Sequence, residues 1–148
     1  MPGSITVSAE RTVAASPDRV YAFLSDYQAA RPRILTPNYV DYRVEEGGTG
    51  AGTLVSYRLQ AARRERAYRL RVEEPAPGTL VERDTTSSLM TTWRVMPAPN
   101  DQSIVRVVTQ WQGGSGVRGF FERTFAPRGL RRIYDDLLER LAAAVTQR

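Results

Sequence analysis

The sequence has no cysteine, no histidine and no lysine. Without cysteine there can be no disulfide and no thiolate chemistry, and no redox compartment can be inferred. Without histidine the usual general base, the usual zinc ligand and the Ser-His-Asp triad are excluded. All 21 basic residues are therefore arginines, set against 16 acids, giving a formal net charge of +5 and a pI of about 10.1. The acids are interspersed with the arginines, so the excess is modest. No apolar run approaches the roughly 18 residues of a membrane span. Met1 to Val13 alternates and does not form a signal-peptide core, so a cytoplasmic location is expected. No metal or cofactor is expected from this residue set.

What is present is one ordinary globular domain, residues 1–148, with 41% hydrophobic residues. That is enough to bury a core. Ile5, Val7, Ala9, Arg11 and Val13 alternate with polar residues, the period-two pattern of a half-buried strand. Ser16-Pro17-Asp18 supplies a hydroxyl N-cap, a proline at the first helical position and an acid in the first turn. Val20, Phe23 and Leu24 form that helix's apolar face. A second short helix is expected over Asp26 to Arg33, stopped before Pro37. Arg31-Pro32-Arg33 reads as a solvated loop flank, or alternatively as a phosphate or carboxylate clamp.

Six more strands are expected between Tyr39 and Gln112: Tyr39–Glu46, Thr53–Ala61, one carrying Tyr68, Leu70 and Val72, then Thr79–Asp84, Leu89–Met96 and Ile104–Gln112. The glycine run Gly47-Gly48-Thr49-Gly50-Ala51-Gly52 does not match a dinucleotide or Walker fingerprint and lies between two strands. It reads as a flexible hairpin turn. The final element, Val117 to Gln147, carries apolar residues at Leu130, Ile133, Tyr134, Leu137, Leu138, Leu141 and Val145. That spacing gives a broad stripe on one side of a helix, with Phe120, Phe121 and Phe125 as an earlier section of the same face. Pro127 should kink or break it. Consecutive antiparallel strands make one curved sheet whose apolar face needs a cover, and the long helix supplies it. A straight helix cannot touch a bent sheet along its whole length, so a cavity between them is expected.

The strand–helix opening with Ser16-Pro17-Asp18-Arg19-Val20-Tyr21 and Asp26 resembles the START-like, polyketide cyclase/dehydrase and lipid-transport superfamily. So do the Gly50-Ala51-Gly52-Thr53 turn, Glu74-Pro75 closing a hairpin, Trp93 and Trp111 on late strands, and the long C-terminal helix. The resemblance covers nearly the whole chain. It implies an α+β helix-grip fold: a seven-stranded curved antiparallel sheet wrapped around a long C-terminal helix, with two short helices after the first strand. Its members include lipid carriers, hormone receptors and polyketide cyclases, so the fold does not fix the function.

A cavity of this kind would have Tyr57, Leu59, Tyr68, Leu70, Trp93, Val107, Thr109 and Trp111 as its sheet walls, with Phe121, Phe125 and Tyr134 from the helix. Each of these residues could equally be ordinary core. The lining suits a lipid, isoprenoid or polyketide-like ligand. A cyclase or dehydratase would need a proton acceptor and donor, and the strand faces assigned to the interior carry no Asp or Glu. No catalytic residue is singled out, although Arg11 and, more weakly, Arg43 could reach inward. A third possibility is electrostatic docking of nucleic acid or an anionic surface on Arg63, Arg64, Arg66, Arg69 and Arg71. No aromatic residues interleave that strip, so the stacking expected of a single-strand binder is missing. A monomer and a homodimer are both compatible with the sequence.

Overall fold

The computed structural model describes residues 4–61, 63–112 and 127–146. Seven strands form one antiparallel sheet: β1 (Ser4–Val13), β2 (Tyr39–Glu46), β3 (Leu54–Ala61), β4 (Arg64–Ala76), β5 (Thr79–Asp84), β6 (Met90–Ala98) and β7 (Gln102–Gln112). Their spatial order is β1-β7-β6-β5-β4-β3-β2, so the two strands nearest the N-terminus occupy opposite margins. Between them run the helix α1 (Pro17–Ser25) and a 3-10 helix (Arg31–Ile34). The element α2 (Pro127–Thr146) completes the fold. This is the α+β helix-grip expected from the sequence.

Local chemistry explains the helix boundaries. Ser16 has extended backbone and its hydroxyl accepts from the Arg19 N–H at 3.3 Å, an N-cap, with Pro17 at the first helical position. The second short helix is only a 3-10 turn at Arg31–Ile34, preceded by turn residues. α2 is described from Pro127, and a proline fits the first turn of a helix, where the backbone N–H groups have no intrahelical partner. The part of the expected terminal helix before Pro127 lies outside the described residues.

On α2 the residues Leu130, Ile133, Tyr134, Leu137, Leu138, Leu141 and Val145 are all buried, as their three- and four-residue spacing requires. Each such side chain contributes about 1.5–3 kcal/mol through area removed from water. The helix packs chiefly on β1 and the 3-10 helix. The opposite flank of the sheet, β2 to β4, is filled instead by tyrosine rings. Tyr39, Tyr42, Tyr57 and Tyr68 form a chain of ring contacts with centroids 5.0, 6.4 and 5.8 Å apart, all three pairs made through Tyr57. The β2–β3 pairing is irregular there, with register shifts on both sides of Arg43 and Val44 and Asp41 at φ 57°.

The glycine run connects β2 to β3 as expected, yet its backbone is tied down. Gly50 N–H donates to Ser25 O and Tyr27 N–H to Gly48 O, both at 2.9 Å. The Glu74 carboxylate accepts from Ala51 N–H at 2.7 Å and from the Tyr21 hydroxyl. A turn with so many fixed partners docks onto the end of α1.

Candidate functional site

The site grows from β5. Its sequence, Thr79-Leu80-Val81-Glu82-Arg83-Asp84, alternates so that charge falls on both faces. The sheet turns Leu80, Glu82 and Asp84 to the buried side and exposes Arg83. Two carboxylates therefore enter the interior, contrary to the expectation that the inner faces carry no acid. Asp84 is satisfied locally, accepting from Arg69 N–H at 3.0 Å and the Ser87 hydroxyl at 2.6 Å. Glu82 has a different set of partners.

Arg31, expected on a solvated loop, is 6% exposed and its guanidinium meets Glu82 at 2.5 Å. The 3-10 helix carries it inward, opposite the middle of β5. Nε donates to Leu24 O at 3.0 Å and Nη2 also reaches the Tyr27 hydroxyl at 3.3 Å. The Tyr27 hydroxyl donates to Glu82 Oε2 at 2.6 Å, and Trp93 Nε1 donates to Oε1 at 3.3 Å. The rings of Tyr27 and Trp93 both lie with centroids 4.6 Å from the Arg31 guanidinium carbon, within cation–π range. Burial, the largest single influence, would pull the Arg31 guanidinium down, but the Glu82 charge together with Tyr27, Tyr42 and the hydrogen bond to Glu82 makes the net direction up. Tyr27 is pushed well above the ordinary phenol value, by burial first and then by the Glu82 charge.

Beside this pair is an internal cavity of about 30 Å³. That is room for about two waters. Its charged lining residues, among those described, are Arg31 and Glu82; its apolar ones include Ile34, Val55, Leu70 and Leu137. Tyr39, Tyr42, Tyr57, Tyr134 and Thr91 add hydroxyls. Tyr42 donates to Tyr27 O at 2.7 Å. Tyr134 hydrogen-bonds to Thr109, which in turn bonds Thr91 at 2.7 Å. Burial raises the phenols of Tyr39 and Tyr57 well above their usual value and pushes Tyr134 up to about 12, so all stay neutral at ordinary pH.

Of the residues expected to line a cavity, the structure gathers Tyr57, Leu70, Trp93 and Tyr134 around this one. Leu59, Tyr68, Val107, Thr109 and Trp111 are buried in the core but do not line it. Phe121 and Phe125 lie outside the described residues. Arg11 and Arg43 are exposed and do not reach inward. The residues that sequence reasoning missed are Tyr27, Tyr39, Tyr42, Glu82 and Thr91, while Arg31, read there as a loop flank or a carboxylate clamp, meets the Glu82 carboxylate. Tyr27 and Arg31 share the four-residue spacing that puts two side chains on one side of a turn, the one signal that could have coupled them. Two arginines of the outer strip are paired with acids. Arg69 pairs with Glu45 and Arg71 with Glu46, each at 3.0 Å. No group of three or more carboxylates able to hold a metal occurs among the described residues. No described helix is long and apolar enough to cross a membrane.

A curved sheet gripping a helix, with a partly polar cavity enclosed between them, is the architecture of a small-molecule-binding protein. The model of the polyketide cyclase/dehydrase and lipid transport family matches residues 4–146, and the chain belongs to that family. No curated protein matches it. Among solved structures, the KanY protein is similar at 44% identity, covering 98% of this chain and 99% of its own, with a TM-score of 0.87. Norcoclaurine synthase from Thalictrum flavum, solved with a transition-state analogue, shares the fold at 15% identity and a TM-score of 0.71, over 98% of this chain and 96% of its own. The major latex-like protein 151 of Panax ginseng shares it at 9% identity and a TM-score of 0.75, over 97% and 99% of the two chains.

Proposed function

We propose that the protein binds a hydrophobic small molecule, lipid-, isoprenoid- or polyketide-like, between the sheet and α2. Tyr57, Leu70, Trp93 and Tyr134 form the wall on this reading. The observation that carries it is the cavity, where apolar side chains stand beside the phenols of Tyr39 and Tyr57. Such hydroxyls can exchange hydrogen bonds with a ligand or with water. At about 30 Å³ the cavity is smaller than any such ligand, so binding must widen it. The tyrosine-filled flank, where β2 is an irregular edge strand and α2 packs elsewhere, is the side that can yield.

The test is native mass spectrometry of the purified protein followed by organic extraction, with titration of graded apolar ligands against tryptophan fluorescence. A retained apolar molecule, or saturable quenching of Trp93, is the expected result. A clean apo mass together with no saturable response to any ligand would overturn the reading.

A second reading, an enzyme of the cyclase or dehydratase type, is favoured by one observation. Glu82, Arg31 and Tyr27 place a carboxylate, a cation and a phenol together beside the cavity. Proton transfer and enolate stabilisation need those group types. Turnover of a polyketide-like substrate that falls in Glu82→Gln and Tyr57→Phe would support it. Parent rates in both variants would end it.

A further inference from the structure

Resting on the binding reading above, we infer that the cavity selects neutral ligands carrying hydroxyl or keto oxygens, aromatic or polycyclic, and rejects carboxylates such as fatty acids. The charged groups lining it, among those described, are one cation and one anion already joined to each other, Arg31 to Glu82. A carrier for an anion needs a cation left over. Here Nε of Arg31 is taken by Leu24 O, Nη2 by Glu82 and Tyr27, and two aromatic rings lie against its guanidinium. An incoming carboxylate would lose its hydration, find no net positive charge and have Glu82 as a like-charged neighbour.

A neutral hydroxyl meets the opposite situation. Glu82 Oε1 has a single long contact, from Trp93 Nε1 at 3.3 Å, and can accept a second donor. The Tyr39 and Tyr57 hydroxyls can donate to a keto oxygen or accept from a phenol. Burial holds both phenols protonated, so they serve without introducing charge. The aromatic cluster around Tyr57 and the indole of Trp93 offer ring faces to a flat ligand.

Three probes of one shape and different head groups test this at neutral pH on the full chain: naphthalene, naphthol and naphthoate, by calorimetric titration. Naphthol is expected to bind most tightly, with naphthoate weaker than naphthol by at least about tenfold. Naphthoate binding as tightly as naphthol overturns the inference while leaving the binding reading intact. If none of the three binds, this inference is overturned, while the binding reading is decided by the mass spectrometry and the graded ligands above. In Glu82→Gln the opposing charge is gone and Arg31 is left unpaired, so the preference should narrow or invert. An unchanged ratio in that variant overturns the role given to Glu82. Should Glu82→Gln not fold, the ratio measured on the parent protein decides alone.

Discussion

Arg31 and Glu82, 51 residues apart in the chain, meet at 2.5 Å with side chains only 8% and 5% exposed. One comes from a four-residue 3-10 turn, the other from the middle of a strand in the sheet. Together they fix the distance between the segment after α1 and the floor of the cavity.

A buried ion pair is costly to break from one side, because the survivor keeps its desolvation penalty. Arg31→Met alone and Glu82→Leu alone should each lower stability by about 3–5 kcal/mol. The double variant should lose far less than the sum, since no unpaired charge remains. Urea unfolding of all four proteins measures the cycle. Additive losses would mean that the two groups act independently.

The tyrosines separate into two kinds. Tyr27 donates to Glu82 at 2.6 Å, so Tyr27→Phe leaves the carboxylate short of a donor and should cost about 1.5–3 kcal/mol. Tyr57→Phe keeps the ring contacts with Tyr39, Tyr42 and Tyr68 and should stay within about 0.5 kcal/mol of the parent. Thermal unfolding of the two variants distinguishes them.

Much of the fold was legible in the sequence because alternation and turn chemistry are local. Tyr39–Glu46 and Thr79–Asp84 have the expected bounds, and the α2 stripe is buried at every expected position. The site was legible only in part. Trp93, Leu70, Tyr57 and Tyr134 are apolar or amphipathic residues on faces that periodicity identifies. Arg31 and Glu82 are charged, and a charge beside Pro32 and Arg33, or beside Arg83, reads as solvent-facing until its partner is known. That partner is set by long-range topology, which no local pattern encodes. The acids beside the basic strip were hidden for the same reason: Glu45 and Glu46 reach Arg69 and Arg71 only through the pairing of β2, β3 and β4.

The turn between β4 and β5 leaves no room for a side chain. Gly78 has φ +73°, and a Cβ there would lie 2.8 Å from Val95 O, a backbone atom. Gly52 also has positive φ, +90°, but opens onto space. Gly52→Ala should cost about 1 kcal/mol from conformation alone, and Gly78→Ala about 2–3 kcal/mol, since the β5–β6 flank must also shift. Chemical denaturation of the pair checks the order.

At alkaline pH the phenols govern stability. Burial raises the phenols of Tyr27, Tyr39 and Tyr57 well above their ordinary value and pushes Tyr134 up to about 12. The folded state therefore holds these protons more tightly than the unfolded chain. The stability this contributes is fully present below pH about 10 and is lost as pH rises through the folded values. Phenolate absorbance should stay nearly flat through that region and then rise in one step with loss of circular dichroism. A gradual rise in the folded protein would show that the rings are accessible to solvent.

The strand order has a consequence for how the protein is made. β1 pairs along its whole length with β7, Val7 opposite Thr109 and Val13 opposite Ser103. On a ribosome the first strand emerges apolar-faced and waits for the last one before it has any neighbour in the sheet. β2 to β6 can zip by successive hairpins meanwhile, each closed by a short turn. Completion is thus a long-range event, and rates of such β-topologies fall in the millisecond-to-second range. Until then the inner face of β1 is an exposed sticky strand, the segment most in need of shielding during synthesis.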